Sequence, residues 1–172
     1  DHALKAGTQM GPVASAAQLE QNLRNVALAK EAGGQLLCGG ERLSRETEGY
    51  YMSPAVVVGT RNDWQVNREE LFAPMACVIK VGSYDEALAV VNDTRFGLTA
   101  GIVTRDLARA SHFRRNVRTG CVMVNLPTAG TDYHVAFGGR GDSSYGPREQ
   151  GQYAKEFYTV VKTAYIKSGE PV

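Results

Sequence analysis

The amino-acid sequence predicts an α/β fold, with a mainly parallel sheet, flanking helices and a separate C-terminal strand. Short apolar runs rich in β-branched residues alternate with longer segments in which apolar side chains recur every three or four positions. Helices between consecutive strands are typical of right-handed crossovers, which make neighbouring strands parallel. The length of 172 residues is sufficient for one domain with a sizeable core.

The first half of the chain contains one clear helix and three strand candidates. Ser15 and Gln18 have the S-x-x-Q spacing of a capping box, in which each side chain can bind the other residue's backbone N–H, so a helix is predicted to begin there. Gly33-Gly34 offers the left-handed conformation that commonly ends a helix. The predicted apolar face consists of Leu19, Leu23, Val26 and Ala27. The predicted strands are 35–38, 55–58 and 76–81.

The next part of the chain repeats this alternation. A second capping box, Ser83 with Glu86, predicts another helix. Its apolar side consists of Ala87, Leu88, Val90 and Val91. A further helix is predicted over 106–117, between strands at 99–104 and 121–124. Its inward-facing side chains are predicted to be Leu107, Ala110 and Phe113.

A long loop and a terminal strand complete the chain. Residues 125–151 are rich in Gly, Ser and Pro, and loops of this length in compact domains are usually functional or disordered. The embedded aromatic residues favour an ordered, functional loop. A short helix over 154–157 is followed by a predicted strand at Thr159 to Lys167, with no later element to cover it. Because a lone strand exposes unpaired backbone groups, we expect it to pair with another chain.

Composition excludes several classes of protein. The net charge of +1 gives no electrostatic attraction to nucleic acid or to an anionic membrane, and no apolar run approaches the length of a membrane span. The three cysteines lack C-x-x-C spacing, which argues against a disulfide framework or a zinc site and favours a reducing cytoplasm. The histidines are scattered, so no metal cluster is predicted. The cysteines are Cys38, Cys77 and Cys121, and the histidines are His2, His112 and His134.

Five segments in register carry a resemblance to a known family. The segment Arg68 to Pro74, R-E-E-L-F-A-P, resembles the E-E-x-F-G-P motif of the NAD(P)-dependent aldehyde dehydrogenases. The other matching segments are 10–13, 49–51 with Pro54, 92–102, and 124–125 followed by 137–139. The tail from Ser144 to Thr163 is most similar to the branch that acts on 2-oxoglutarate semialdehyde (2,5-dioxopentanoate).

The resemblance also implies that parts of the enzyme lie outside this chain. The family's nucleophilic cysteine in G-Q-x-C, its general-base glutamate and its Rossmann domain would all precede Asp1. The chain begins without a start methionine or a leader pattern, which favours an excised piece. Residues 1–157 are therefore expected to be the C-terminal part of the catalytic domain, with no catalytic residue of their own. Residues 158–172 would be the oligomerisation strand and tail of a homodimer or tetramer.

The resemblance assigns roles to four residues. Glu70 would accept hydrogen bonds from the nicotinamide ribose of NAD or NADP, and Phe72 would pack beside the nicotinamide ring. Ala73 replaces the family's usual glycine, which would restrict the turn if positive φ is needed there. Phe137 would form a wall of the aldehyde entrance. Asn125 belongs to the same substrate loop, where anchoring by hydrogen bonds is expected more than substrate contact.

Other interpretations of the same residues stay open. Without the resemblance, Glu70 is a solvated loop residue and Phe72 a core residue. Arg140 and Arg148 are the nearby cations for an anionic substrate, but neither is assigned this role. The chain as a whole could be a stand-alone, non-catalytic module that assembles through its last strand. A hydrolase that uses one of the cysteines is the third alternative, although no base adjoins any of them in sequence.

Overall fold

The structure is a computed structural model and describes residues 2–169. The chain divides into two compact units, with the division between Asp93 and Thr94. The elements of the first unit are α1 (Ala16–Glu31), β1 (Gln35–Cys38), β2 (Arg42–Leu43), β3 (Tyr51–Met52), β4 (Ala55–Val58), α2 (Gln65–Arg68), β5 (Met75–Val78) and α3 (Tyr84–Asn92). Those of the second are β6 (Thr99–Ile102), α4 (Leu107–Asn116), β7 (Cys121–Val124), 3₁₀ turns at Gly141–Ser143 and Gly151–Tyr153, and α5 (Ala154–Tyr158).

The strands are parallel where a helix connects them. The sheet of the first unit has the order β1-β4-β5, in which β4 and β5 are parallel and α2 lies between them in sequence. In the second unit β6 and β7 are parallel, with α4 between them in sequence. By contrast, β1 is antiparallel to β4 because the antiparallel pair β2–β3, and no helix, lies between them in sequence. The α/β fold class is confirmed, with these two antiparallel pairs as exceptions to the predicted parallel arrangement.

The first helix begins where the capping box predicts. The Ser15 hydroxyl accepts a hydrogen bond from the backbone N of Gln18 at 3.2 Å. Ala27 was predicted to lie on the buried face but is exposed, because the buried positions follow a different stripe of the helix. The buried residues of α1 are Leu19, Asn22, Asn25, Val26 and Ala29. Leu19 and Val26 belong to one core cluster with Met52 and Ala55, and Ala29 belongs to a second with Val57 and Val66.

In the second capping box, one of the two hydrogen bonds is formed with a residue one position earlier than predicted. The Ser83 hydroxyl accepts from the Glu86 backbone N at 3.1 Å, as expected. The Glu86 carboxylate, however, accepts from the backbone N of Gly82 at 2.7 Å rather than from that of Ser83. Most of the predicted apolar face of α3 is half-buried, whereas Val91 is exposed.

The inward face of α4 is shorter than predicted. Phe113 is buried and Ala110 is half-buried, as expected. Leu107, however, is 80% exposed, so its predicted inward orientation was wrong. It lies in the first turn of the helix, next to the N-cap Asp106, and the packed part of the helix begins one turn later.

Two strands end earlier than their apolar runs. β5 ends at Val78 and β6 at Ile102, whereas the sequence predicted strands that extend to Val81 and Thr104. The ladder stops because the partner strands stop: Val78 pairs with Val58, the last residue of β4. Strand length therefore follows the partner as well as β propensity.

The C-terminal segment 159–169 forms no strand with any described part of the chain. Its large apolar side chains Val160, Val161, Tyr165 and Ile166 are each more than 90% exposed. A strand that pairs between two chains would be unpaired in a single copy, so the pairing stays a prediction. Residues 170–172 of the predicted tail lie outside the described residues. Within residues 2–169, none of the helices combines the length and apolar character that a membrane span requires.

Candidate cofactor cleft and substrate loop

An open cleft of about 840 Å³ lies in the first unit. Its walls come from residues 10–14 before α1, from Gln18 in the first turn of α1, and from residues of the stretch 66–77, which runs from α2 into β5. Both predicted cofactor residues, Glu70 and Phe72, line this cleft. The structure therefore brings the R-E-E-L-F-A-P segment to the M-G-P-V segment, two motifs that lie far apart in sequence.

In the segment between α2 and β5, residues 70–73 alternate between exposed and half-buried side chains. Leu71 is half-buried and packs against the core cluster of Ala29, Val57 and Val66. Glu70 and Phe72, on either side of it, are exposed, and Phe72 is 82% exposed. Leu71 thus anchors the segment to the core, and its two neighbours are available to a ligand. Phe72 is accordingly not the core residue that the alternative interpretation assumed.

Hydrogen bonds hold this segment at both ends and in the middle. The backbone N of Glu69 donates to the carbonyl of Gln65 at 3.0 Å, and the carbonyl of Pro74 accepts from Ala55 N at 2.8 Å. Between them, the side-chain amide of Gln18 donates to the Leu71 carbonyl at 3.3 Å. The exposed position of Glu70 is therefore set by a fixed backbone.

Phe72 adopts a left-handed backbone conformation, with φ of 52°. Such a conformation costs a non-glycine residue roughly 1–2 kcal/mol, and strained residues cluster at ligand sites. The positive φ falls on Phe72 and not on Ala73. The Cβ of Ala73 therefore does not carry the conformational cost that the sequence had suggested.

A charged tether fixes the end of α2 just before this segment. The Arg68 guanidinium donates to the Asp93 carbonyl and lies 3.1 Å from the Asp93 carboxylate. Asn62 donates to the same carboxylate at 2.8 Å and to the same carbonyl at 3.2 Å. Arg68 and Asn62 thus converge on the C-cap of α3.

The three cysteines differ in their exposure, and Cys38 is the exposed one. All three are free. Cys77 lines the cleft, and burial raises the pKa of its thiol above the ordinary value. A raised pKa keeps the thiol protonated near neutral pH, the opposite of what a nucleophile requires. This supports the expectation that the reaction does not use Cys77.

Asn125 is engaged on both sides of its amide. Its Oδ1 accepts from the Thr104 backbone N at 2.8 Å, and its Nδ2 donates to the Thr104 carbonyl at 2.9 Å. Asn125 also has a left-handed backbone, with φ of 57°. The residue therefore ties the start of the long loop to the turn that follows β6, and its contact with a substrate stays a prediction.

Phe137 lies in an ordered turn of the same loop. It is half-buried, and its backbone exchanges two hydrogen bonds of 2.8 Å with Glu149. The following Gly139 donates to the Ser144 hydroxyl at 2.6 Å, and its carbonyl accepts from the Arg148 guanidinium. Arg148 is thus part of the turn, whereas Arg140 is exposed. The structure places Asn125 and Phe137 in the second unit, with different partners.

The sequence analysis did not identify the roles of two residues, Gln18, which lines the cleft, and Asn22, which lies one turn further along α1. Gln18 was predicted only as a capping-box partner, but its side chain bonds across to Leu71. Asn22 was not singled out, although it is completely buried. Their S-x-x-Q-x-x-x-N spacing was a signal, since residues four apart lie on the same face of a helix. Among residues 2–169, no group of three or more metal-ligating side chains comes together.

Comparison with known proteins identifies the family. The model of the aldehyde dehydrogenase family matches residues 1–164. Alpha-ketoglutaric semialdehyde dehydrogenase of Bacillus subtilis is 39% identical over 166 residues, which are 95% of this chain and 34% of that protein. 4-Trimethylaminobutyraldehyde dehydrogenase of Mus musculus is 37% identical over 167 residues, which are 95% of this chain and 33% of that protein.

Solved structures agree with this result. The crystal structure of NAD-dependent aldehyde dehydrogenase from Sinorhizobium meliloti superposes with a TM-score of 0.84 at 33% identity, over 96% of this chain and 32% of that one. The chain spans about a third of the length of the curated relatives that it matches. The family match, the sequence identity and the shared fold agree: this chain belongs to the aldehyde dehydrogenase family.

Proposed function

We propose that this chain is the C-terminal portion of an enzyme that oxidises an aldehyde to a carboxylate with NAD+ or NADP+. In this proposal residues 1–157 complete the catalytic domain, and residues 158–172 form the oligomerisation strand and tail. The observation that carries the proposal is the cleft in which Glu70 and Phe72 stand exposed on a fixed segment. Membership of the aldehyde dehydrogenase family supports aldehyde oxidation as the reaction at this cleft.

The residues of the cleft suit a dinucleotide. An exposed carboxylate can accept hydrogen bonds from both hydroxyls of a ribose, and an exposed aromatic face can restrain a flat ring. Glu70 and Phe72 supply these two groups on the same wall. The bound dinucleotide would accept the hydride of the aldehyde. The chain is similar to the S. meliloti enzyme, whose name specifies NAD dependence, and this similarity supports NAD+ as the dinucleotide.

The proposed reaction starts at a cysteine upstream of this chain. Its thiolate adds to the aldehyde carbonyl to give a thiohemiacetal, and loss of hydride leaves a thioester. Water then releases the acid and the thiol, so that RCHO, NAD(P)+ and H₂O give RCOO⁻, NAD(P)H and two protons. This chain would contribute the ribose contact and, through the loop around Phe137, a wall of the aldehyde entrance.

For the substrate we propose a semialdehyde such as 2-oxoglutarate semialdehyde. The B. subtilis relative, whose name specifies that substrate, supports this choice. The mouse relative is named for a trimethylammonium aldehyde at comparable identity. The two substrates differ in charge, and a kinetic comparison would therefore distinguish them.

We propose a homodimer or tetramer in a reducing cytoplasm. The exposed apolar side chains of segment 159–169 support assembly through this segment. The three free thiols support a reducing compartment. The isolated 172-residue chain is expected not to reduce NAD(P)+, because the proposed nucleophile lies upstream of it.

The direct test is Glu70→Gln in the complete enzyme. The amide keeps the size of the side chain but removes one charged acceptor, so the KM for the dinucleotide should rise about ten- to a hundredfold. The KM for the aldehyde should stay within about twofold. Glu31→Gln, at the exposed C-terminal end of α1, is the matched control and should leave both constants unchanged. An unchanged dinucleotide KM in Glu70→Gln would remove Glu70 from the site.

A further inference from the structure

We propose that Gln18 is a positioning residue for Glu70, acting through the carbonyl of Leu71. This inference rests on the proposed function of the cleft and assigns a role to a side chain outside the R-E-E-L-F-A-P segment. Gln18 lies in the first turn of α1 and lines the same cleft. Its side chain reaches the one residue that separates Glu70 from Phe72.

The geometry fixes the orientation of the Gln18 amide. Its Nε2 donates to Asn22 Oδ1 at 2.7 Å and to the Leu71 carbonyl at 3.3 Å. A side-chain amide has two N–H groups, and these two acceptors use both of them. Gln18 is therefore held by its own helix on one side and holds the Leu71 backbone on the other.

The burial of Asn22 indicates that this pair has a purpose beyond stability. Asn22 has no exposed surface, and within the described residues its Nδ2 has no hydrogen-bond partner. A buried donor without a partner destabilises the folded state, which an apolar residue at this position would avoid. What Asn22 does provide is the acceptor that orients Gln18. We infer that this orientation offsets the cost of the buried amide.

The bond from Gln18 restrains the middle of segment 69–74, where no backbone hydrogen bond described above does so. Its two ends are fixed by backbone hydrogen bonds at Glu69 and Pro74, but the left-handed conformation of Phe72 lies between them. Without a central tether, the residues around Phe72 would be free to relax that strain. The Gln18 bond restrains the carbonyl immediately before Phe72, and thereby the backbone direction from which the Glu70 carboxylate projects.

Two variants of the complete enzyme separate the tether from general stability. Gln18→Met removes both donors and keeps the length of the side chain. Gln18→Glu removes the bond to Leu71 but lets the Asn22 amide turn and donate to the new carboxylate, and a negative charge suits the first turn of a helix. Gln21→Met, at an exposed position on the same helix, is the matched control. Gln18→Glu should have the melting temperature of the wild-type enzyme. If Gln18→Met does not fold, the measurements on Gln18→Glu alone test the proposal.

The first measurement is hydrogen exchange of residues 69–74 in the enzyme without dinucleotide. Loss of one hydrogen bond should speed exchange in this segment about three- to tenfold in both Gln18 variants and leave it unchanged in Gln21→Met. Exchange at the wild-type rate in both Gln18 variants would overturn the proposal. This readout does not depend on catalysis.

The second measurement is a double-mutant cycle with Glu70→Gln. Gln18→Met should raise the dinucleotide KM about three- to tenfold and leave the aldehyde KM unchanged, with little further effect when Glu70 is already replaced. Additive effects would show that Gln18 acts independently of Glu70 and would overturn the proposal. If Glu70→Gln alone leaves the dinucleotide KM unchanged, the proposed function of Glu70 is wrong. The positioning role of Gln18 is then also wrong, even if hydrogen exchange shows that Gln18 restrains residues 69–74.

Discussion

At the scale of single residues, backbone strain coincides with the candidate sites. Three non-glycine residues have positive φ within the described chain, namely Phe72, Asn125 and Gln150. Two of the three were assigned site roles from the sequence resemblance alone. Residue type could have suggested a positive φ at Asn125, because Asn is common in this region. It could not have done so at Phe72, because Phe is rare there. The resemblance could therefore indicate which residue contacts a ligand but not the backbone geometry that presents it.

The strain at Phe72 predicts an unusual order of stability. In Phe72→Gly the left-handed backbone has no Cβ penalty, so this variant should be more stable than Phe72→Ala by about 1 kcal/mol. Both variants should lose dinucleotide affinity, since both lack the ring. Urea unfolding of the two proteins measures the difference.

A reversed order is expected at Gln21, an exposed position inside α1. There Gln21→Ala should be more stable than Gln21→Gly by about 1 kcal/mol, because glycine weakens a helix interior. If alanine is favoured equally at both positions, Phe72 does not have the left-handed conformation described above.

The thiol of Cys77 should react slowly. Burial raises its pKa, whereas Cys38 is exposed. Because alkylation proceeds through the thiolate, iodoacetamide at pH 8 should modify Cys38 several times faster than Cys77, and the rate at Cys77 should still be rising at a pH where an ordinary thiol has levelled off. Peptide mapping by mass spectrometry measures both rates. In urea the two rates should converge, and equal rates in the folded protein would contradict the burial of Cys77.

At the scale of elements, helix starts could be predicted from the sequence but strand partners could not. The capping residues Ser15 and Ser83 act within three positions of themselves, so local sequence specifies them. The antiparallel pairing of β1 with β4 depends on the short β2–β3 pair between them, whose strands contain two residues each. Strands that short leave no periodicity to detect. The reach of Gln18 to Leu71 was hidden for a similar reason, since it joins positions far apart in sequence.

The start of β7 depends on a close approach between backbones. A Cβ added at Gly120 would lie 1.7 Å from the Gly138 carbonyl oxygen, and no side-chain rotation can relieve a clash between backbone atoms. Gly120→Ala should therefore lower the free energy of unfolding by about 3 kcal/mol and displace the turn that carries Phe137. Chemical denaturation measures the first effect, and the KM for the aldehyde measures the second.

The control for this prediction is Gly82→Ala. Its Cβ would meet the end of the Glu86 side chain at 3.4 Å, an ordinary contact with a flexible group. This variant should change the free energy of unfolding by less than about 0.5 kcal/mol. Comparable losses in the two variants would contradict the close approach at Gly120.

At the scale of the whole molecule, the family could be identified from the sequence because its motifs are spread over the whole chain. The order of five segments fixes the family even though each motif is weak alone, and the family model matches residues 1–164. The proposed partner of segment 159–169 is a second chain, so its identity cannot be read from a single copy. Its side chains Val160, Val161, Tyr165 and Ile166 have no cover within the described residues. A segment that is stable only after pairing has its determinants in two chains.

The proposed pairing of this segment predicts how proline will act. Successive N–H groups of a strand point to opposite sides, so one of Val160 and Val161 would donate to the partner and the other would not. Proline lacks this donor. At least one of Val160→Pro and Val161→Pro should therefore shift the complete enzyme toward smaller assemblies, whereas Val161→Thr, which keeps the β-branched shape and the N–H, should not. Light scattering coupled to size exclusion measures the mass. If neither proline variant changes it, segment 159–169 does not hold the oligomer together.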